Sequence, residues 1–277
     1  MKHNLHLVEG GIGKHLQFTS LFDSLKKKYN EDLSIMAGWS GLFKMDPRVA
    51  HVADMQILPL HDWSAKSFNN YNNIICNDPY RGNFLKGGKH IITSWAEMYD
   101  IKVNDTRPDF FINEKRENIL KTEILKLGKF ILVQFTGGQG LVQQDYDNTN
   151  MGRNYNKGQQ LINYLKEAVP NLNIVVFGHT NEQEPLLNTT SGFYDKEDFM
   201  ILSKYCTSFI CIDSSLQHMC SNKRFNKKGI VLWGTSNPLM FGYKNNLNIE
   251  SEYPYCVNIE PKKIIDLFLN LELENEV

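Results

Sequence analysis

The chain has 277 residues, of which 42% are hydrophobic and 12% aromatic. This is the composition of a globular protein, and it excludes a disordered or fibrous chain. The formal net charge is -1, so no overall field attracts the protein to nucleic acid or to an anionic membrane. The length is too great for one small core and suits two domains of ordinary size.

Cysteine usage and hydropathy indicate a protein of the cytoplasm. The five cysteines are odd in number and scattered, and they form neither a CxxC pair nor a disulfide framework. An apolar strand follows Met1 directly, without the apolar region of a signal peptide, and no apolar run approaches the ~20 residues that span a bilayer. We therefore expect a soluble cytoplasmic protein with no stable membrane insertion.

Short apolar runs alternate with helical patterns along almost the whole chain. The predicted strands are Leu5–Val8, Leu33–Ala37, Ile74–Cys76, Phe130–Phe135, Ile174–Phe177, Phe209–Ile212 and Ile230–Trp233. The predicted helices are Leu16–Tyr29, Ile91–Tyr99, Glu114–Leu127, Lys157–Ala168, Lys196–Tyr205, Leu216–Ser221 and Lys262–Leu271. Continuous apolar strands separated by amphipathic helices predict parallel sheets that are covered on both faces.

A strand–helix–strand order repeats on both sides of the predicted helix Glu114–Leu127, so we place a domain junction near residue 125. Residues 1–125 and 126–277 are then two Rossmann-like domains, each an open doubly wound sheet with its binding groups at the carboxyl ends of strands. We expect the final helix either to stay with the second domain or to pack back on the first. The stretch Gly38–Trp63 has scattered aromatics and prolines and is predicted as a loop-rich part of the first domain.

A glycine-rich turn, Glu9–His15, follows the first predicted strand. Its glycines allow a tight turn and a close approach of a ligand to a helix N-terminus, where free N–H groups favour an anion. It matches neither a P-loop, which would need Gly at Val8 and Ser or Thr at His15, nor the dinucleotide fingerprint, which would need Gly at Leu16. A cation at a helix start opposes the helix dipole, so Lys14 predicts an anionic partner such as a phosphate or a carboxylate. The alternative is a plain tight turn.

A second small-residue turn, Phe135–Gly140, follows the first strand of the second half. Its exposed N–H groups and the Thr136 hydroxyl predict an anion nest. Asp145 and Asp147 lie in the polar stretch beyond it and have the spacing of a metal site. Mg²⁺ normally shares such carboxylates with substrate phosphates, and the three-residue segment Asp145–Asp147 in a loop is insufficient evidence for a metal site. We predict no metal there.

The third motif is Asp213–His218, at the end of a buried strand and the start of a helix. Asp213 or Ser214 can serve as a plain N-cap, which contributes ~1 kcal/mol. Ser215 and His218 are three residues apart and share a face of the helix. Hydroxyls, N–H groups and an imidazole around one anion-sized space predict ligand contact. A neighbouring strand ends at Gly234 and Thr235, which border the same region.

Asp213–His218 and the following Val231–Pro238 resemble the donor-site signature of the heptosyltransferase-like glycosyltransferases, family 9. In that family an Asp-Ser/Thr-Gly-x-x-His segment precedes an apolar strand and a Gly-Pro-Thr-x-Pro turn. The segment Gly11–Gly13 is similar to the family's N-terminal Gly-x-Gly-Asp turn. The compact length and the Gly-Gly-Ile-Gly-Lys form look closest to bacteriophage homologues, which implies the host cytoplasm as the location.

The resemblance implies an α/β fold of the GT-B type, with two Rossmann-like doubly wound domains facing a cleft. It implies inverting, metal-independent transfer from a nucleotide-sugar donor that is a substrate, with no cofactor. The N-terminal domain is then the acceptor side, with Gly11, Gly13, Lys14 and Arg81 as cleft residues. The C-terminal domain binds the donor, and the predicted donor-binding residues are Thr136, Gly137, Gly138, Gln139, Asp213, Ser214, Ser215, His218 and Thr235.

This sequence departs from the family at the position of its catalytic Asp, which is Lys14 here; a protonated lysine cannot act as a general base. Ser215 also stands in place of a glycine. The predicted candidate bases are His15 and Asp78, the latter following a buried strand. The acceptor is predicted to be a saccharide or glycolipid, or else a hydroxymethylated base of phage DNA. The rival to an enzyme is a sugar-nucleotide-binding protein that kept the fold and lost its base.

Overall fold

The structure is a computed structural model that describes residues 3–55, 71–81, 84, 88–137, 153–178, 185–190, 195–252 and 256–275. The chain divides into two compact units, Met1–Phe111 and Ile112–Val277. Each unit is an α/β structure built on one parallel sheet. None of the described helices is long and apolar enough to cross a membrane.

The sheet of the first unit has four parallel strands in the order β3-β2-β1-β4. The strands are β1 His3–Val8, β2 Leu33–Ala37, β3 Val49–Asp54 and β4 Tyr71–Ile75. The helices are α1 Ile12–Phe18, α2 Phe22–Tyr29 and α3 Ile91–Met98, with short 3-10 turns at Thr19–Leu21, Ser40–Phe43 and Pro79–Arg81. The helix predicted from Leu16 therefore begins four residues earlier, within the glycine-rich turn.

Aromatic side chains fill the core between this sheet and its helices. The Phe18 ring packs 4.7 Å from the Trp95 ring, and Phe22 packs 5.6 Å from Phe43, centroid to centroid. All four side chains are almost fully buried, and such rings contribute both apolar area and tilted ring contacts. This core fixes α1, and with it the glycine-rich turn from which α1 begins.

The stretch Gly38–Trp63, predicted as loop-rich, contains an edge strand. Val49–Asp54 pairs in parallel with β2, so the loop prediction was wrong for these residues. Much of β3 is exposed or only half-buried, which explains why no continuous apolar run marks it. Residues 56–70 lie outside the described ranges.

A buried arginine holds the segment that precedes the boundary between the units. Arg48 donates from Nη1 to Asp109 Oδ2 at 2.6 Å and from Nη2 to Asp46 Oδ2 at 2.6 Å. The Asp109 backbone N–H donates to Thr19 Oγ1 at 2.9 Å. Because each charged group is both paired and hydrogen-bonded, the network can remain buried.

The sheet of the second unit has five parallel strands in the order β6-β5-β7-β8-β9. The strands are β5 Phe130–Gln134, β6 Asn173–Val176, β7 Ser208–Ile212, β8 Gly229–Trp233 and β9 Leu247–Glu250. The helices are α4 Glu114–Leu127, α5 Gly158–Ala168, α6 Lys196–Tyr205, α7 Ser215–Cys220, α8 Pro238–Phe241 and α9 Pro261–Asn275. The strand β9 and the short helix α8 were not predicted.

Helix α4 belongs to the second unit, whereas the predicted junction near residue 125 would have divided this helix. Arg116 donates from Nε to Asp198 Oδ1 at 2.7 Å and from Nη2 to Asp198 Oδ2 at 2.9 Å, which ties α4 to α6. Lys204 of α6 pairs with Glu117 of α4 in the same way. These pairs explain why the chain divides before α4 rather than within it.

The final helix α9 packs within the second unit. It contributes Ile264, Ile265 and Phe268 to the core that also contains β5, β7 and β8. Of the two placements expected for this helix, the structure supports the one in which it stays with the second domain.

Candidate functional site

Each sheet has one point at which the chain reverses its direction of winding, between β1 and β4 in the first unit and between β5 and β7 in the second. In open α/β sheets, ligands bind beyond the carboxyl ends of the strands at such a point. The glycine-rich turn after β1 and the segment after β4 meet at the first switch point. The turns after β5 and β7 meet at the second.

Arg153 joins the two turns of the second unit. It donates from Nε and Nη2 to the backbone carbonyl of Asp213 at 3.0 and 2.9 Å, after β7. Its own carbonyl accepts from the Gly137 N–H at 3.1 Å, after β5. Within the described ranges Arg153 forms no ion pair with a carboxylate. The switch point therefore carries a half-buried guanidinium whose charge is not neutralised by a described acidic side chain.

Sequence reasoning missed Arg153. It follows a polar stretch, lies on no apolar periodicity and matches none of the motifs identified in the sequence. Only the fold shows that Arg153 belongs to the site, because an antiparallel bridge between Thr136 and Asn154 brings Arg153 to the end of β5.

Gln134 also couples the two turns. Its Nε2 donates to the carbonyl of Thr136 at 3.0 Å, and its Oε1 accepts from the backbone N–H of Leu216 at 3.4 Å. Thr136 and Gly137 are thus held beside the start of α7. Gly138 and Gln139, also predicted to bind the donor, lie outside the described residues.

The polar groups at the start of α7 are buried. Ser214 occupies the N-cap position with extended backbone, yet its hydroxyl does not cap the helix. Gln217 Oε1 and Ser236 Oγ are buried with no hydrogen-bond partner among the described residues, and the buried Ser214 hydroxyl lies beside the Cys211 thiol, which is only a weak hydrogen-bond partner. Such orphaned polar atoms are rare in folded proteins and call for an explanation, such as a water, an ion or a ligand. Asp213 is satisfied internally, because its Oδ1 accepts from Gln217 Nε2 at 2.7 Å.

The other predicted donor residues lie around the same edge. His218 is 5% exposed, and its Nδ1 is 2.7 Å from the Tyr243 hydroxyl. Ser215, one turn earlier on α7, is half-buried. Thr235 follows β8 and is exposed, and none of the hydrogen bonds found for the described residues joins it to Arg153 or Ser214.

At the switch point of the first unit, the turn after β1 depends on a glycine. Gly10 has φ +99°, a conformation that side-chain-bearing residues rarely adopt. Gly11 then takes the N-cap position of α1, and Gly13 lies in its first turn. These residues place Lys14 directly above the end of β1.

Lys14 reaches across the switch point to the residue after β4. Its Nζ lies 2.7 Å from Asp78 Oδ2, and the two side chains are only 10% and 13% exposed. The ammonium also lies 5.0 Å from the centre of the Tyr80 ring and 5.7 Å from that of Trp95. The anionic partner that the sequence predicted for Lys14 is therefore a carboxylate of the protein itself.

A second ion pair lies beside the first and is more exposed. Arg81 Nη2 is 2.6 Å from Glu9 Oε2, with the side chains 61% and 39% exposed. Two cations and two carboxylates thus neutralise each other at this edge. Tyr80 lies between Asp78 and Arg81 in the sequence, and its side chain is exposed.

His15, the other predicted base, supports the turn. Its side chain is fully buried and stacks on Phe43. The Trp39 N–H donates to Nε2 at 3.3 Å, so Nδ1 carries the proton and donates to the carbonyl of Gly11 at 2.9 Å. Burial lowers the pKa of His15 to about 4. Because both ring nitrogens are hydrogen-bonded to the backbone, His15 has no nitrogen available to take a proton from a substrate in this structure. Its role here is to support the turn.

Within the described ranges, no group of three or more His, Cys, Asp or Glu side chains is placed to hold a metal ion. Asp145 and Asp147, whose spacing resembles that of a metal site, lie outside those ranges. Cys211 and Cys220 offer no nucleophile, because burial raises the pKa of both thiols.

No family model and no curated protein matches the chain. Solved structures do match it. The ADP-heptose LPS heptosyltransferase II of E. coli is similar with a TM-score of 0.73 at 14% identity, over 100% of each chain. A glycosyl transferase of family 9 from Veillonella parvula has a TM-score of 0.70 at 12% identity, over 99% of this chain and 98% of that one.

The iron-containing dodecameric glycosyltransferase TibC from enterotoxigenic E. coli has a TM-score of 0.65 at 12% identity, over 99% of this chain and 78% of that one. At these identities the likeness shows the fold. The chain is built from two parallel-sheet, Rossmann-like α/β units of the GT-B type, which confirms the predicted fold class.

Proposed function

We propose that the protein is a glycosyltransferase that moves a sugar from a nucleoside-diphosphate sugar to a hydroxyl acceptor. The observation that carries this proposal is the Arg153 guanidinium, held by two hydrogen bonds to Asp213 O at the switch point of the second sheet. Nucleoside diphosphates are the ligands whose charge and shape fit such a group, because a guanidinium binds phosphate oxygens through directed, charge-assisted hydrogen bonds.

The neighbouring polar groups suit the same ligand. The turn at Thr136 and Gly137 lies on one side of Arg153, and the Gly137 N–H donates to the Arg153 carbonyl and so holds the arginine in place. The Ser214 hydroxyl, buried and without a nitrogen or oxygen partner among the described residues, is a donor on the other. Donors that are fixed before the reaction stabilise the charge that grows on a leaving diphosphate. We assign donor binding to Thr136, Gly137, Arg153, Ser214, Ser215 and His218, with Asp213 and Gln134 holding the turns.

For the chemistry we propose a single inverting displacement without a metal. The acceptor oxygen attacks the anomeric carbon, the bond from that carbon to the diphosphate breaks with its electron pair, and the acceptor proton passes to a carboxylate. Asp78 is the base that we propose, since both nitrogens of His15 are bonded to backbone groups, of Gly11 and of Trp39. The similarity to ADP-heptose transferases makes ADP-heptose one donor to test, and the iron-containing relative makes metal dependence a question for experiment.

We propose a saccharide or glycolipid acceptor. The similarity to a protein described as an LPS heptosyltransferase supports this choice. A DNA acceptor would need unpaired cations along a groove to neutralise phosphates. At the edge of the first sheet, Lys14 and Arg81 are each paired with a carboxylate. We propose the cytoplasm as the location, since the five cysteines are free.

A ligand screen followed by product analysis tests this function. We expect at least one of ADP-heptose, UDP-glucose and GDP-mannose to raise the melting temperature, because a ligand that binds only the folded state stabilises it. Mass spectrometry of saccharide acceptors incubated with that donor should then show one added sugar, with or without EDTA. Donor binding with no transfer to any acceptor would favour the non-catalytic binding protein. Turnover that EDTA abolishes and a divalent metal restores would contradict the metal-free mechanism.

A further inference from the structure

The Lys14–Asp78 pair is unusual for its burial and its position. Apart from the Arg48 pairs with Asp46 and Asp109, the ion pairs in the described ranges include at least one more exposed side chain, whereas both members of this pair are nearly buried at the switch point of the first sheet. Taking two charges out of water costs free energy that their attraction often fails to recover, so stability alone is a weak reason for such a pair. The start of a helix is also an unfavourable place for a cation.

Lys14 is nevertheless held firmly. Its ammonium faces the rings of Tyr80 and Trp95, which attract a cation. A Cβ atom at Gly10 would lie 3.2 Å from Lys14 Cδ, so the absence of a side chain there gives the lysine stem its room. The surroundings therefore fix one position for the ammonium, directly against Asp78.

The same contacts fix the Asp78 carboxylate. Its Oδ2 accepts from Lys14, and its Oδ1 accepts from the backbone N–H of Tyr80 at 3.0 Å. A carboxylate oxygen has two lone-pair sites, so one remains on each oxygen after these bonds. The side chain is 13% exposed, which leaves part of the carboxylate open to a small hydroxyl group.

We propose that Lys14 is a positioning residue for the transfer reaction, orienting the Asp78 carboxylate so that it receives the proton of the acceptor hydroxyl. This inference rests on the proposed function. Lys14 acts here through Asp78 and does not itself bind the donor or the acceptor. Four further groups that can carry charge lie around the pair. Glu9 and Arg81 neutralise each other, the Tyr80 ring faces the ammonium, and His15 is buried.

The test compares Lys14→Met, Lys14→Arg and Asp78→Asn with wild type, using whichever of ADP-heptose, UDP-glucose or GDP-mannose turns over. Lys14→Met should lower kcat about 10–100-fold with little change in the acceptor KM, because a misplaced group slows the chemical step rather than binding. Lys14→Arg should recover most of the lost kcat, because the guanidinium can still donate to the Asp78 carboxylate.

Exposed Lys27 provides the surface control, and Lys27→Ala should behave as wild type. Circular dichroism and the melting transition of the full chain report folding in every variant. Nucleotide binding to the second unit would not report it, because Lys14 and Asp78 lie in the first unit. A wild-type kcat in folded Lys14→Met would overturn the inference, as would full activity in Asp78→Asn. A rise confined to the acceptor KM would show that Lys14 binds the acceptor directly, which also overturns it. If Lys14→Met fails to fold, a Lys14→Arg variant that binds nucleotide and remains inactive would contradict it. Wild-type protein that binds no nucleotide would instead remove the proposed function.

Discussion

Two buried histidines of the first unit lie where no water reaches the imidazole. His6 is 1% exposed on β1, with its Nδ1 3.2 Å from the Tyr99 hydroxyl, and His15 is fully buried behind the glycine-rich turn. Burial lowers the pKa of each to about 4, against 6.5 for an ordinary histidine. Both are therefore neutral in the folded protein at pH 7.

These histidines predict a loss of stability in weak acid. Their pKa values are lower in the folded state than in the unfolded state, so the unfolded state binds more protons below pH 6.5. Stability is retained above pH 6.5 and is lost as the pH falls toward 4. From pH 7 to pH 5 we expect about 2 kcal/mol for each histidine. Urea unfolding of wild type and His6→Leu at several pH values measures this.

His6→Leu should show a weaker dependence of the unfolding free energy on pH than wild type. His51→Gln is the control, because His51 is exposed on the edge strand β3. Parallel curves for wild type and His6→Leu between pH 7 and pH 5 would show that His6 is protonated without cost in the fold.

Individual residues show where sequence reasoning ends. The helix dipole was enough to predict an anionic partner for Lys14, but only the fold shows that the partner is Asp78. A histidine beside a glycine-rich turn resembles a base in sequence, since burial and the Trp39 bond to Nε2 are not visible there. Arg153 was missed for the converse reason, because its role arises from a bridge between distant segments.

At the level of elements, buried strands were predicted well and two edge strands were not. Every residue of β2, β5, β7 and β8 is buried, so each strand is a continuous apolar run in the sequence. The strands β3 and β9 lie at the edges of their sheets, and in β9 only Ile249 is buried. The strand β9 has four residues and one buried side chain, which is too short a pattern to distinguish a strand from a loop.

Close packing of β8 against β7 predicts the effect of one methyl group. A Cβ atom at Gly229 would lie 2.4 Å from Cδ1 of Phe209, a fully buried ring of the neighbouring strand. Gly229→Ala should therefore lower the unfolding free energy by about 1–3 kcal/mol, as overpacking of a filled core does. Gly41→Ala is the control, since a Cβ there meets nothing within 4 Å. A melting temperature of Gly229→Ala equal to that of Gly41→Ala would contradict this prediction, because it would mean that β7 and β8 accommodate the added methyl group with no loss of unfolding free energy.

For the whole molecule, the repeated strand–helix pattern predicted two parallel-sheet units, and the structure confirms the fold class. The pattern does not specify strand order, and strand order places the switch points. The glycine-rich turns after β1 and β5 look alike in sequence but differ in the fold. The turn after β1 carries Lys14, which pairs with Asp78, and the turn after β5 lies beside the Arg153 guanidinium. The predicted junction was displaced because the ion pairs of α4, which assign it to the second unit, involve residues of α6 far along the chain.

We propose that the switch point of the second unit binds a nucleoside diphosphate through Arg153. Calorimetric titration of the full chain with ADP, UDP and GDP tests it most directly, with Arg153→Met, Arg153→Lys and the surface control Lys27→Ala. We predict binding of at least one nucleotide by wild type and by Lys27→Ala. Binding should be about 10–100-fold weaker in Arg153→Met, because charge-assisted hydrogen bonds are lost, and intermediate in Arg153→Lys. Folded wild-type protein that binds none of the three, or Arg153→Met that binds as tightly as wild type, would contradict the account.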